Sequence, residues 1–358
     1  MSEPTPPPPP DAPPPVQLAV PTDVLQDLED HGVPVVATLD AVEERLHTRA
    51  SSSHAFVDEV ARYLIVAGGK RFRPLLTALT GHLGPDAPAD GQPREAIVDA
   101  GVVVELVHLA TLYHDDVIDE AAARRGTPSA NERWDNTVAI LTGDFLMARA
   151  SELSAELGVE VTRIISRTIA RLCEGQIAEV QGAMGALPAG VPTVEPSLAH
   201  YLDVVSGKTA SLIETSCRYG ALLSGAADTE VEAAATYGHH LGMAFQFSDD
   251  VLDIAADHED SGKTPGTDLR EGVRTLPVIY ALDDDPHGRL AELLAGDLDE
   301  AGVAEALGLL RGSDALARAR QAAADEVAAA TDALTGFGDT PVTRALTRLA
   351  RYAIERLG

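Results

Sequence analysis

LVHLATLYHDDVIDE, residues 106–120, decides how the chain is read. Its apolar residues recur at helical spacing, and its last turn carries Asp115, Asp116 and Asp119, with Asp115 and Asp119 on one face. AFQFSDDVLD, residues 244–253, repeats the arrangement with Asp249, Asp250 and Asp253. Carboxylates at this spacing repel one another, so a cluster on an otherwise apolar helix needs water or a cation to be tolerable. A solvated acidic face is the bland account. Against it, each cluster stands near the C-terminal end of its helix, ahead of Gly126 and Gly262, where the helix dipole also favours cations. Two such ends facing each other would make a divalent-metal site. The donors are all oxygen, with no HxxxH spacing, so Mg²⁺ is expected, with Mn²⁺ as a substitute, rather than zinc. Mg²⁺ commonly joins a few carboxylates to substrate phosphates, which makes a diphosphate the expected anion.

Outward from these two segments the chain reads as all-α. Its 358 residues are 45% hydrophobic but only 4% aromatic, and Ala, Leu, Val, Glu and Arg dominate over alternating β-branched runs. From Val35 onward, helical periodicity is interrupted by Gly, Pro and Asp clusters at residues 84–86, 187–196, 225–228 and 283–288, giving about ten to thirteen helices. There is no fixed-period repeat. Residues 1–20, MSEPTPPPPPDAPPPVQLAV, carry too much proline and too little periodic apolar content to join a core, and are expected to be a disordered tail ahead of one domain at 21–358.

A net charge of −29 repels nucleic-acid phosphate and anionic lipid, which argues against nucleic-acid binding. Cys173 and Cys217 lack CxxC spacing and read as buried small hydrophobes in a reducing compartment. No apolar run is expected to reach the ~18 residues of a membrane span, and the N-terminus lacks the form of a signal peptide, so a cytoplasmic location is expected. Of 27 basic residues only Lys70, Lys208 and Lys263 are lysine, and each follows a glycine. Genome-level preference for Arg with accidental survivors would account for that bias, but ammonium groups at glycine-flanked turns also suit phosphate oxygens.

GGKRFRP, residues 68–74, concentrates three cations after a flexible glycine pair, and Arg124-Arg125-Gly126 adds two more just beyond Asp119. Together with HDDVIDEAAARRG, GDFL, the GKT at 207–209, FQFSDDVLD and SGKTPGTDLREGVRTLP, these segments occur in the order found in the trans-isoprenyl diphosphate synthases. The chain resembles that family from about residue 68 to residue 280, most of all its long-chain bacterial polyprenyl synthases. The resemblance implies antiparallel helices around a central cavity, normally in a homodimer. It implies that Lys70, Arg73, His108 and Arg125 bind isopentenyl diphosphate, the nucleophile. It makes Asp115, Asp119 and Asp249 metal ligands, with Asp116 and Asp250 beside them in catalysis, and has Arg124, Lys208, Thr209, Gln246 and Lys263 contact the allylic diphosphate. Tyr113, His114, His239 and His240 read as structural. A terpene cyclase or a head-to-head condensing enzyme would need an acidic helix end but not the second diphosphate site that GGKRFRP supplies. Ala110, Thr111, Val107 and Val104, on the helix behind Asp115, are not large aromatics, so a long all-trans product is expected, as for a menaquinone or other quinone side chain. Transient membrane contact is the expected route for releasing such a product.

Overall fold

The computed structural model describes residues 22–86, 92–182, 190, 192–255, 265–296 and 298–355, so the proline-rich tail and Lys263 lie outside the described residues. The chain divides into two compact units, one formed by Met1–Ala78 with Pro88–Thr162, the other by Leu79–Ala87 with Arg163–Gly358. Among the described residues the architecture is helical, as expected, save for one hairpin of two short strands.

In the first unit α1 (Thr22–Asp30), α2 (Val35–Arg49), α3 (Ala55–Val66) and α4 (Phe72–Thr80) precede α5 (Glu95–Ile118). The hairpin β1 (Ala123–Arg124) and β2 (Thr127–Pro128) follows, then α6 (Ala130–Arg133) and α7 (Asn136–Leu157). Helix α5 packs on α7 and α2 and is apolar on nearly all sides, as the core helix of a bundle must be. Its mean hydropathy of 1.6 over an 18-residue window makes it long and apolar enough to cross a membrane. That corrects the expectation that no run has this length; 72% of the window is buried inside the fold, which is what its apolarity serves. Asp135 starts α7 by accepting the Val138 amide at 2.8 Å. The glycine of GDFL, Gly143, is where α7 meets His114: a Cβ there would lie 2.2 Å from the ring Nε2, which sits 3.2 Å from the Ile140 carbonyl oxygen. Tyr113 turns instead toward α3, donating to the Val60 carbonyl at 2.5 Å.

The second unit contains α8 (Val159–Gly182) from Arg163 onward, α9 (Leu198–Val205), a π-helical turn (Ser206–Ala210), α10 (Ser211–Leu223) and α11 (Asp228–Ala255). It continues through α12 (Thr267–Arg270), α13 (Leu276–Asp284), α14 (Arg289–Leu294), α15 (Glu300–Arg311), α16 (Ala315–Ala333) and α17 (Pro341–Glu355). Helix α11 is its axis: Met243, Phe247, Val251 and Ile254 meet Leu276 and Ile279 of α13, Leu310 of α15 and Ala319 and Ala323 of α16 in one apolar core. Cys217 is buried in α10 as expected, but Cys173 is exposed, because the face of α8 that carries it points to solvent.

Small residues let α11 run against the π-helical turn. At Gly242 an added Cβ would stand 2.6 Å from the Cα of Ala210, a backbone atom that cannot swing aside. Gly→Ala within a helix ordinarily gains ~1 kcal/mol of intrinsic propensity, but forced overpacking costs ~1–3 kcal/mol. Overpacking should win at this contact. Gly242→Ala is expected to lower the thermal midpoint and, by displacing the turn that carries Lys208 and Thr209, activity with it; a raised midpoint would contradict the packing account.

Candidate active site

In the first unit a basic cradle grows out of strained backbone. Gly68 (φ 84°) and Gly69 (φ 155°) lead into Arg71 (φ 46°), and the hairpin turn places Arg125 at φ 52°, a region that residues with a Cβ seldom occupy. The Arg125 guanidinium donates to the carbonyls of Leu64, at 2.8 Å, and Gly68, which ties the hairpin to the glycine loop. Any Cβ on Gly69 would lie 2.9 Å from Arg125 Nη2 and 3.0 Å from Arg71 Nη1. Arg71 itself is buried and turns away from solvent, toward Glu43 and Glu105. Lys70 is exposed. Burial pushes Arg73 down to about 10, with Glu105 working against that and Arg125 adding to it, and its Nε is a buried donor without a hydrogen-bond partner. His108 is held well below its ordinary pKa by burial and then by the charges of Arg73, Arg125, Arg71 and Arg124, so at neutral pH it is an uncharged member of a cationic group. Arg73, His108 and Arg125 are therefore brought together, and the orphaned Arg73 donor calls for an anion.

The acidic end of α5 sorts its three aspartates. Asp119 is exposed at the C-cap and its amide donates to the Asp115 carbonyl at 2.8 Å, while Asp115 is half-buried one turn before it. Asp116 is buried: Oδ1 accepts from Arg124 Nε at 2.6 Å and Oδ2 is a buried oxygen with no hydrogen-bond partner. Burial raises its pKa, Arg124 opposes that, and the Asp119 charge adds to it. Among the described residues no three carboxylate or imidazole side chains form a ready-made metal cage. The donors nevertheless suit a hard cation such as Mg²⁺, which takes one or two carboxylates and fills its octahedron with water and phosphate oxygens.

In the second unit the residues of the GKT and the second aspartate cluster form one hydrogen-bonded line. Lys208, on the π-helical turn, pairs with Glu179 of α8. Thr209 donates to Gln246 Oε1 at 2.9 Å, Gln246 Nε2 donates to Asp250 Oδ1 at 2.9 Å, and Asp250 Oδ2 accepts from the Tyr201 hydroxyl. Asp250 is 1% exposed, and its carboxyl is raised to about 6 by burial, against which the hydrogen bonds of Tyr201, Gln246 and the Leu276 amide act. It therefore holds Gln246 and Thr209 in place from behind. Asp253 is also engaged, accepting the amides of Thr267 at 3.1 Å and Asp268 at 3.2 Å, whereas Asp249 is half-buried beside them. A π-helical turn offsets its side chains from the regular helical register, and such turns recur at functional sites.

Sequence reading missed Glu43, Glu105, Glu179, Tyr201 and Asp268. Two carried a signal: Tyr201 lies two helical turns before Lys208, and Glu105 one turn before His108. Asp268 lies within SGKTPGTDLREGVRTLP, and burial first, then the charges of Asp250, Asp253, Glu271 and Glu179, pushes it up to about 8.

On an all-α frame, the first unit thus carries an aspartate-rich helix end and a guanidinium cluster, and the second an aspartate-rich helix end and a lysine on a π-helical turn. The family model described as polyprenyl synthetase matches residues 54–310, and the chain belongs to that family. It is 46% identical over 327 residues to a nonaprenyl diphosphate synthase of Mycobacterium tuberculosis, covering 90% of this chain and 94% of that one. Its fold superposes with a TM-score of 0.81 on a decaprenyl diphosphate synthase from Rhodobacter capsulatus, at 33% identity over 94% of this chain and 99% of that one. The same TM-score, 0.81, relates it to a polyprenyl synthase from Caulobacter crescentus complexed with calcium and isoprenyl diphosphate, at 32% identity over 94% and 98% of the two chains.

Tyr201→Phe removes the hydroxyl donor from a buried carboxylate while keeping the ring that stacks on Phe247 at 5.9 Å. The loss of stability should be ~1–3 kcal/mol, as for other buried acceptors left with one partner fewer, and turnover should fall with it. Chemical denaturation with steady-state rates checks this; unchanged values of both would mean that the phenol does not support Asp250.

Proposed function

We propose that this prenyltransferase condenses isopentenyl diphosphate head to tail with an allylic diphosphate, in a Mg²⁺-dependent reaction, to give a long all-trans polyprenyl diphosphate for a quinone side chain such as that of menaquinone. The observation that carries the reading is that the chain holds two groups of polar side chains of different chemistry, each suited to a diphosphate. One is a guanidinium cradle around Arg73, with a neutral histidine and an orphaned buried donor. The other, in the second unit, is the aspartate-rich end of α11 together with Lys208, Thr209 and Gln246. A diphosphate that must leave needs metal and movable cations, whereas one that stays through the reaction needs only recognition.

Asp115, Asp119 and Asp249 would hold Mg²⁺, which when bound supplies charge neutralisation for the departing diphosphate. Arg124 and Lys208 add their charge to that oxyanion as the allylic C–O bond breaks and its electron pair leaves with the diphosphate. Lys70, Arg73 and Arg125 hold the second substrate so that its double bond attacks the allylic cation; the new C–C bond forms and one proton is lost to the released diphosphate. Thr209 and Gln246 offer oxygen dipoles to the cation, and the network behind them keeps those dipoles fixed. The exposed apolar side chains of Ile140 and Leu141 on α7 fit a homodimer that would cover them.

Product length is supported by the interior of α5. Val104, Val107 and Ala110 are fully buried and small or medium in size, and the bulky neighbour Tyr113 is committed to α3 through Val60. One helical turn rises ~5.4 Å, close to one extended isoprene unit, so residues on this helix grade the growing chain. The name of the Mycobacterium tuberculosis relative, a nonaprenyl synthase, agrees with a product on the order of seven to ten units.

Asp115→Ala and Asp249→Ala should each lower turnover by about a hundredfold or more at saturating Mg²⁺ while leaving helix content unchanged, since each removes charge compensation from the leaving group. Rates above about a tenth of wild type would sink the ligand assignment. Chromatography of dephosphorylated products should show long chains from the wild type and marked shortening in Ala110→Phe. A wild-type product that stops at farnesyl or geranylgeranyl diphosphate, or a variant that makes the same length, would overturn the ruler.

A further inference from the structure

Arg71 stands in the middle of the basic loop yet is engaged by buried carboxylates. Its guanidinium is clamped by both oxygens of Glu43 on α2, Nε to Oε2 at 2.6 Å and Nη2 to Oε1 at 2.8 Å, and by Glu105 on α5 at 3.1 Å; a fourth bond runs to the Ile65 carbonyl at 3.2 Å. All three side chains are nearly excluded from water, at 2% exposure for Arg71, 7% for Glu43 and 2% for Glu105. Burial alone would raise the Glu43 carboxyl, but hydrogen bonds and charge from Arg71 and His47 hold it down to about 2, so it is ionised at any working pH.

The clamp solves two problems for its neighbours. Arg71 sits at φ 46°, a conformation that survives only where surrounding contacts over-determine it. Three guanidiniums, Arg71, Arg73 and Arg125, also influence one another electrostatically with no substrate present, and the Glu105 charge favours the cationic form of both Arg73 and Arg125. We infer that Glu43 and Glu105 are positioning residues for the isopentenyl diphosphate site: acting through Arg71, they hold the Gly68–Arg73 loop and its cationic cluster in a preorganised, anion-ready arrangement without touching the substrate. This rests on the reading of Lys70, Arg73 and Arg125 as the nucleophile's site. A cluster assembled before the substrate arrives spends no binding energy on ordering or on mutual repulsion.

The test is steady-state kinetics of Glu43→Gln, which keeps the shape but removes the charge, with each substrate varied while the other saturates. Misplacing the loop should raise KM for isopentenyl diphosphate by about tenfold or more while KM for the allylic diphosphate stays within about twofold. Glu43→Asp, which keeps the charge, should recover part of the loss. Should Glu43→Gln fail to fold, Glu105→Gln, which alters a single 3.1 Å contact, decides with the same signature in smaller measure. A folded variant with a lowered thermal midpoint and an unchanged isopentenyl diphosphate KM, or one that raises both KM values equally, overturns the inference and leaves the clamp merely structural. Lys70→Ala in the same assay tests the underlying site: if it weakens only the allylic substrate, that site reading falls instead.

Discussion

Carboxylates crowded at the negative end of a helix dipole are the constraint around which this molecule is arranged. Helices α5 and α11 both end in such crowds, and in each the middle aspartate is withdrawn from the surface: Asp116 onto Arg124, Asp250 onto Tyr201 and Gln246. The ends then differ. Asp119 stays exposed at the tip of α5, whereas its counterpart on α11, Asp253, accepts two backbone amides from the start of α12. Two motifs that look alike in one-letter code are thus unequal in chemistry. In the second, Asp253 holds the start of α12 and Asp250 the Gln246–Thr209 line.

That asymmetry marks the limit of what the chain discloses before it folds. The helical class, the placing of both clusters at helix ends and the separation of basic from acidic segments all follow from local pattern, because spacing on a helix is a local property. Glu43 and Glu105 are not local to Arg71, and Glu179 is far in sequence from Lys208, so nothing in the neighbourhood of either cation announces its partner. Arg71 is the instructive case: it is one of three cations in GGKRFRP, indistinguishable by composition, yet it sits at positive φ and is buried against Glu43 and Glu105. Cys173 was misread for a related reason, since which face of a long helix meets solvent is settled by what packs on it. In α5 the reverse holds: composition alone fits a membrane span, and only its packed surroundings show a core helix.

The division of labour between arginine and lysine follows from the same physics. Where a cation must satisfy several fixed acceptors at once, the chain uses the planar fork of arginine: Arg71 against two carboxylates and a carbonyl, Arg125 against two carbonyls. An ammonium could not meet those directions with its single nitrogen. Lysine stands at Lys70, exposed on the loop, and at Lys208, whose charge is matched to the Glu179 carboxylate on the adjoining helix. A point charge on a flexible stem can leave one oxygen for another, so the Lys208 ammonium can exchange a carboxylate for a phosphate at small cost in geometry. In a chain of net charge −29, a cation left without a partner would draw stray carboxylates, and a cation fixed too well could not release its product. Rigid guanidiniums at some places and exchangeable ammonium groups at others satisfy both demands.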